Sequence, residues 1–264
     1  MKNPNNSEHN NPANIPAGLD VVAMTPPEGG RITIDERDEY SYYCYFLNPG
    51  QRVVVENLGC ATVFLPIAHN TLKEITVNNQ AVQAGASALA ELCTLEITAT
   101  VGRGYVLVSG SKKEAPNATT PKLTIRTASE HYVVKKPWGH ELWINGEHPV
   151  LSFKEVFIKQ GYQTSLQYHN FKMEAALLYS GVCDIVYKSN TQVSNDNVQP
   201  GDLAVFQLGV MGKICVEPKT LHRMRAATDI YHYEVSTPHL DDVVRVQDDK
   251  NRGHGRIKDE HLKS

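Results

Sequence analysis

Short apolar runs rich in Val, Ile, Tyr, Phe and Thr recur from Arg31 to Ser111 as RITI, YCYFL, QRVVVENL, ATVFLPI, KEITVNN, LCTLEITATV and GYVLVSG, each bounded by Gly, Pro or Asn. Strands this short and this evenly spaced predict a sandwich or barrel. The rhythm stops at SKKEAPNATTPKL, residues 111–123, where Pro, Asn and Thr crowd without period and predict a linker over residues 113–130. It resumes as LSFKEVFI, TSLQYH, ALLYSG, VCDIVYK, LAVFQLG, KICVEP, LHRMRAA and YHYEVS, separated by turns such as KQGYQ and VQPGD. Only residues 84–92 offer a helical alternative, and a loop between strands fits them equally. The pattern predicts an all-β chain of two similar modules, residues 19–112 and 131–258, with an Asn- and Pro-rich disordered arm at 1–18 and a tail at 259–264.

Composition narrows the partners. With 26 Lys and Arg against 29 Asp and Glu the net charge is −3, which argues against nucleic-acid binding built on phosphate contacts. No apolar run reaches the roughly 18 residues of a membrane span and the first residues lack a signal-peptide core, so a cytoplasmic address with no membrane partner is expected. Five cysteines, at 44, 60, 93, 183 and 215, form no CxxC pair and read as reduced structural thiols.

The second module carries the candidate chemistry. Gln167 and His169 lie two apart in TSLQYH, so strand alternation points both to one face. A turn through Asn170, Phe171 and Lys172 places Glu174 on the next strand, facing the same interior. His222 opens another strand after EPKTL, which sends His222 and Met224 inward and Arg223 and Arg225 to the opposite, solvated face. Two imidazoles, an amide oxygen and a carboxylate make a mixed N/O set suited to Zn, Mn, Fe, Co or Ni. On a five- or six-coordinate metal such a set leaves one or two positions open, as Lewis-acid catalysis requires. Trp138 and Trp143 read as packing at a barrel end, and His69 of the first module as a loop residue.

Residues 161–181, GYQTSLQYHNFKMEAALLYSG, resemble the first motif of the cupin barrel, and residues 212–222, GKICVEPKTLH, resemble the second. More narrowly, Lys136-Pro137-Trp138-Gly139, the SLQ-x-H core at 165–169 and DDVVRVQDDKNRGHGR at 241–256 are similar to the isomerase domain of bifunctional mannose-6-phosphate isomerase/mannose-1-phosphate guanylyltransferases. The resemblance covers residues 131–258 and brings no nucleotidyltransferase, since no Gly-rich nucleotide motif precedes it. It implies a bicupin of two β-barrel or jelly-roll modules, the N-terminal one degenerate and metal-free, covering a strand edge or building a homodimer. It also implies one divalent transition metal, Zn first, on Gln167, His169, Glu174 and His222, with Arg245 and Arg252 reaching a substrate phosphate.

Two departures bear on chemistry. The family's Arg two positions before the Glu is Lys172 here, which keeps a charge but loses the bidentate fork and stands as the candidate catalytic residue. The family's His-Trp after the Glu is Ala175-Ala176. The resemblance implies a metal-dependent sugar or sugar-phosphate aldose–ketose isomerase working through an enediol, its general base unassigned. An Fe-dependent cupin oxygenase and a non-catalytic sugar-binding or regulatory cupin use the same ligands and stay open.

Overall fold

The computed structural model describes residues 19–23, 30–56, 58–188, 198 and 200–261. The expected disordered arm, residues 1–18, lies outside the described residues. The described chain is built of antiparallel strands, and none of its helices is long and apolar enough to cross a membrane.

The first module pairs a six-stranded sheet with a four-stranded one. The larger runs β11 (Lys122–Arg126), β8 (Ser87–Glu91), β5 (Cys60–Phe64), β10 (Gly104–Ser111), β3 (Ser41–Leu47), β2 (Arg31–Glu36). The smaller runs β4 (Arg52–Val55), β9 (Leu95–Val101), β6 (Glu74–Val77), β7 (Gln80–Gln83). Between them Tyr43, Leu47, Val63, Ile75, Ile97 and Val106 belong to one closed apolar core. That barrel is filled by its own side chains, which leaves His69 exposed in a turn at φ 50°.

The second module has a seven-stranded sheet, β1 (Leu19–Ala23), β19 (Gly212–Val216), β16 (Glu174–Ser180), β21 (Ile230–Ser236), β14 (Ser152–Ile158), β13 (Gly139–Trp143), β12 (Tyr132–Lys136). Facing it are β18 (Ala204–Leu208), β17 (Cys183–Lys188), β20 (Leu221–Ala226), β15 (Leu166–Tyr168) and β22 (Val244–Gln247).

Both faces of the seven-stranded sheet are covered. Ala175, Leu177, Phe153, Tyr233 and Val235 join Ile34, Tyr42, Cys44, Phe64 and Leu107 in a core between the modules. The alternate positions Ala176, Leu178, Val156 and Ile158 face the second barrel's interior. Two-sided burial is why β16 reads EAALLYS, apolar almost throughout rather than alternating. Leu177 and Leu178, on opposite faces and both buried, each contribute about 1.5–3 kcal/mol.

Four expectations change. β1 falls in the stretch assigned to the first module but pairs with β19 of the second, Leu19 opposite Val216, so the chain crosses over before the first barrel begins. Residues 84–92 contain a strand, β8, because pairing with β5 and β11 and insertion of Ala88 and Ala90 into the core override local helix preference. The stretch expected as a linker contains β11, paired with β8 of the first module. The charged segment 250–261, read as a tail from residue 259, ends in a short 3-10 turn at Lys258–His261, tied to β12 by the Tyr132 hydroxyl, which donates to the His261 carbonyl at 2.6 Å. The cysteines are free thiols, four of them buried and Cys93 half-buried.

Candidate metal centre

Three elements deliver the second module's ligand set. β15 pairs with β20 so that Gln167 stands opposite His222, His169 follows the end of β15, and Glu174 opens β16. His169, Glu174 and His222 are buried, and their ligand atoms lie within 4.8 Å of one another. His222 Nε2 is 3.0 Å from Glu174 Oε1, and His169 Nε2 is 3.6 Å from Glu174 Oε2.

The outer contacts set both tautomers. His169 Nδ1 donates to the Asp242 carbonyl and His222 Nδ1 donates to the Thr220 carbonyl at 2.9 Å. A carbonyl only accepts, so Nδ1 holds a proton in each ring; Nε2 of His169 offers its lone pair, while Nε2 of His222 donates to Glu174 Oε1 in the metal-free chain and offers its lone pair to a metal once that proton is released. His169 Nε2 is a buried nitrogen with no hydrogen-bond partner among the described residues. A buried acceptor left open beside a carboxylate and a second imidazole fits a divalent cation. Gln167 lines the same cavity, its Oε1 accepting from Ser165 Oγ at 2.6 Å.

Charge in the site is balanced by Lys172. Burial drives His169 down to about 4, helped by the positive Lys172, so the ring is neutral near pH 7. Burial opposes ionisation of Glu174, but Lys172 and the His222 hydrogen bond overcome it and hold the carboxyl well below its usual range. Lys172, itself buried, donates from Nζ to Glu174 Oε2 at 2.5 Å and to Glu234 Oε1 at 2.7 Å. These carboxylates outweigh desolvation and hold the ammonium charged. Sequence singled out Lys172 as catalytic; the structure places it first as the counter-ion of buried Glu174 and half-buried Glu234.

The ligands stand at the edge of a cavity of about 120 Å³ lined by six Lys or Arg residues and three Glu. Arg245 and Arg252 are among them. Arg245 donates to the carbonyls of Gly253 and Gly255, while Arg252 is paired with Asp248 at 2.6 Å and Glu260 at 3.1 Å. Met224 lines the cavity beside His222, and both tryptophans line it too, so their packing role is also a wall of the site. Arg225 is exposed on the opposite face with Asp184 at 2.9 Å. Arg223, expected to be solvated, is instead buried, donating to the Thr164 carbonyl at 3.1 Å, because the β22 edge covers that face.

Several residues of the site were not read from sequence. His232 and Glu234 face the cavity from β21, at alternate positions of YHYEVS whose phase no local signal anchored. Glu141 is flanked by Lys136 and Lys154; burial works against its ionisation, yet these cations lower it to about 2. Asp242 is the least visible. Its carbonyl holds His169, and its carboxylate accepts from the Phe171 amide at 2.5 Å, the Lys172 amide at 3.1 Å and Asn170 Nδ2 at 3.1 Å. It therefore shapes the turn between two ligands. Asp242→Ala is expected to weaken metal binding by about 10–100-fold, the usual effect of an outer-sphere partner. Equilibrium dialysis checks this, and an unchanged affinity removes Asp242 from the site.

No family model and no curated protein sequence matches the chain. Solved structures do. An oxalate decarboxylase from Lactobacillus farciminis, in a formate complex, superposes with a TM-score of 0.61 at 12% identity, over 88% of this chain and 89% of that one. Ylba from E. coli gives 0.55 at 12% identity over 86% and 87%, and the Brassica napus 11S globulin procruciferin gives 0.57 at 9% identity over 83% and 84%. The fold is that of a bicupin. Both barrels take part in the match, and an enzyme and an 11S globulin share it, so it fixes architecture and leaves chemistry to the residues. In this bicupin the first barrel is filled by apolar side chains and the second holds the N/O cluster.

Proposed function

We propose that the second barrel binds one divalent transition metal through His169, Glu174, His222 and the Gln167 amide oxygen, and isomerises a small anionic sugar, a sugar phosphate, between aldose and ketose through an enediol. The observation that carries the reading is two Nε2 atoms and a carboxylate converging beside a cavity in which, among the described residues, six cationic side chains outnumber three acidic ones. A metal bound there would supply Lewis acidity to adjacent substrate oxygens, which acidifies the C–H next to the carbonyl. The protein's part is electrostatic and positional. Lys172, fixed by Glu174 and Glu234, presents fixed positive charge where negative charge develops. Glu234 and His232, inward neighbours on β21, are the groups the cavity offers to move the proton at C2. Arg245 and Arg252 lie on the wall that meets the phosphate. The resemblance of residues 131–258 to mannose-6-phosphate isomerase domains agrees with this assignment, and Ala175-Ala176 in place of His-Trp predicts a different sugar preference.

The test is elemental analysis of the purified protein followed by solvent-deuterium incorporation at C2 of aldose phosphates and C1 of ketose phosphates under anaerobic conditions. About one bound metal with exchange on any substrate supports the isomerase. Metal with no exchange overturns it in favour of an oxygenase or a binding module. Including oxalate separates a decarboxylase, the activity of the Lactobacillus farciminis enzyme with this fold.

A further inference from the structure

The 3-10 turn Lys258–His261 packs against β12, His261 forms part of the wall of the second barrel's cavity, and none of the turn's residues is buried. Besides the Tyr132 hydrogen bond and an edge contact between His261 and Trp143, with ring centroids 5.0 Å apart, it is held by one carboxylate. Glu260 accepts from Lys136 Nζ at 2.9 Å through Oε2 and from Arg252 Nη1 at 3.1 Å through Oε1. Both cations are largely buried, with side chains 8% and 11% exposed, and both line the cavity. Each keeps a second anchor. Lys136 lies 3.5 Å from Glu141, and Arg252 is held by Asp248 through Nη2 at 2.6 Å and Nε at 3.1 Å. The pair therefore stays aimed when Glu260 leaves.

A carboxylate gripped by a Lys and an Arg through separate oxygens has the charge and geometry of a ligand oxyanion. The cavity also carries a spare donor, because Arg245 Nε is buried without a hydrogen-bond partner among the described residues. With the turn in place the cavity holds about 120 Å³, below the roughly 300 Å³ at the small end of ligand pockets. His261, on the turn, is part of the wall of that cavity. Moving the turn alone leaves two buried cations short of a partner, which is costly; moving it as an oxyanion arrives does not.

We infer that Lys136 and Arg252 form the subsite for the ligand's oxyanion group, that Glu260 occupies this subsite in the closed chain, and that ligand enters by displacing Glu260. The inference rests on reading the cavity as the substrate site. Glu260 is then an internal competitor, and its loss strengthens anion binding.

The experiment titrates metal-loaded full-length protein with inorganic phosphate, and separately with oxalate, by calorimetry. Glu260→Ala is expected to bind at least one of the two about tenfold or more tightly than the natural chain, and Lys136→Met in the same background to abolish the gain. Which anion shows the dependence tells a phosphate subsite from a carboxylate one. Equal affinity of the natural and Glu260→Ala chains for both anions overturns the proposal, as does a gain that survives Lys136→Met, which places the anion on the metal instead. A second readout needs no variant. The Glu260 amide, bonded to the Ile257 carbonyl at 3.1 Å, is expected to exchange its hydrogen faster at saturating anion, and unchanged exchange there also overturns displacement. Neither readout depends on turnover. Anion displacement without exchange at C1 or C2 rejects the isomerase and keeps the subsite, and the reverse rejects the subsite alone.

Discussion

His222→Ala is expected to remove metal binding while the chain still folds. His222 Nε2 sits 3.0 Å from Glu174 Oε1 with its other nitrogen tied to the Thr220 carbonyl, so no neighbouring donor replaces it. The affinity loss should exceed the roughly 10–100-fold that follows loss of an outer-sphere partner, because here the donor itself is gone. The metal-free variant also loses a charge-assisted hydrogen bond to a buried carboxylate, about 1.5–3 kcal/mol. The apolar cores between and within the modules do not include His222, and they keep the variant folded. Adding metal should raise the melting temperature of the natural chain and leave that of His222→Ala unmoved, as linkage requires. A metal-dependent rise that persists in the variant would place the ion elsewhere.

The second large effect is on stability. Lys172→Met removes the ammonium that lies 2.5 Å from Glu174 and 2.7 Å from Glu234, leaving a buried and a half-buried carboxylate without their cation. Breaking a buried pair in this way costs about 3–5 kcal/mol. For a chain of this size that lowers the metal-free melting temperature by roughly 6–20 °C. Two controls separate charge from packing. Adding Glu234→Gln should restore part of the loss by removing one of the stranded charges. The gap should also close in acid. Glu174 is held below its usual range in the natural fold, so its contribution is present above the ordinary carboxyl pKa of about 4.3 and fades as pH falls from there. Metal should recover more stability in Lys172→Met than in the natural chain, since a cation then returns to Glu174 where none remains. An unchanged metal-free melting temperature would show that Lys172 does not compensate these carboxylates, and would return it to a purely catalytic role.

The strands and the two-module plan were legible in the sequence because each depends on short-range rules. Alternation assigns a face within a strand, and Gly, Pro and Asn mark its ends. These rules turn Gln167 and His169 to one face and Met224 with His222 to the interior, and all four line the cavity. They fail where the partner is distant. Nothing local in residues 19–23 states that they pair with residues 212–216, and nothing in SALAE states that sheet neighbours on both sides hold it as a strand. Lys172 read as catalytic because its counter-ion Glu234 is 62 residues away, and Asp242 was invisible because its role is to fix a turn 70–73 residues earlier. The segment ending at His261 read as part of a tail for the same reason: Lys136 and Tyr132, which hold it, lie more than 120 residues back. Hydrophobic period is a property of neighbours in the chain, whereas charge compensation and closure belong to neighbours in space, and only the tertiary structure brings those together.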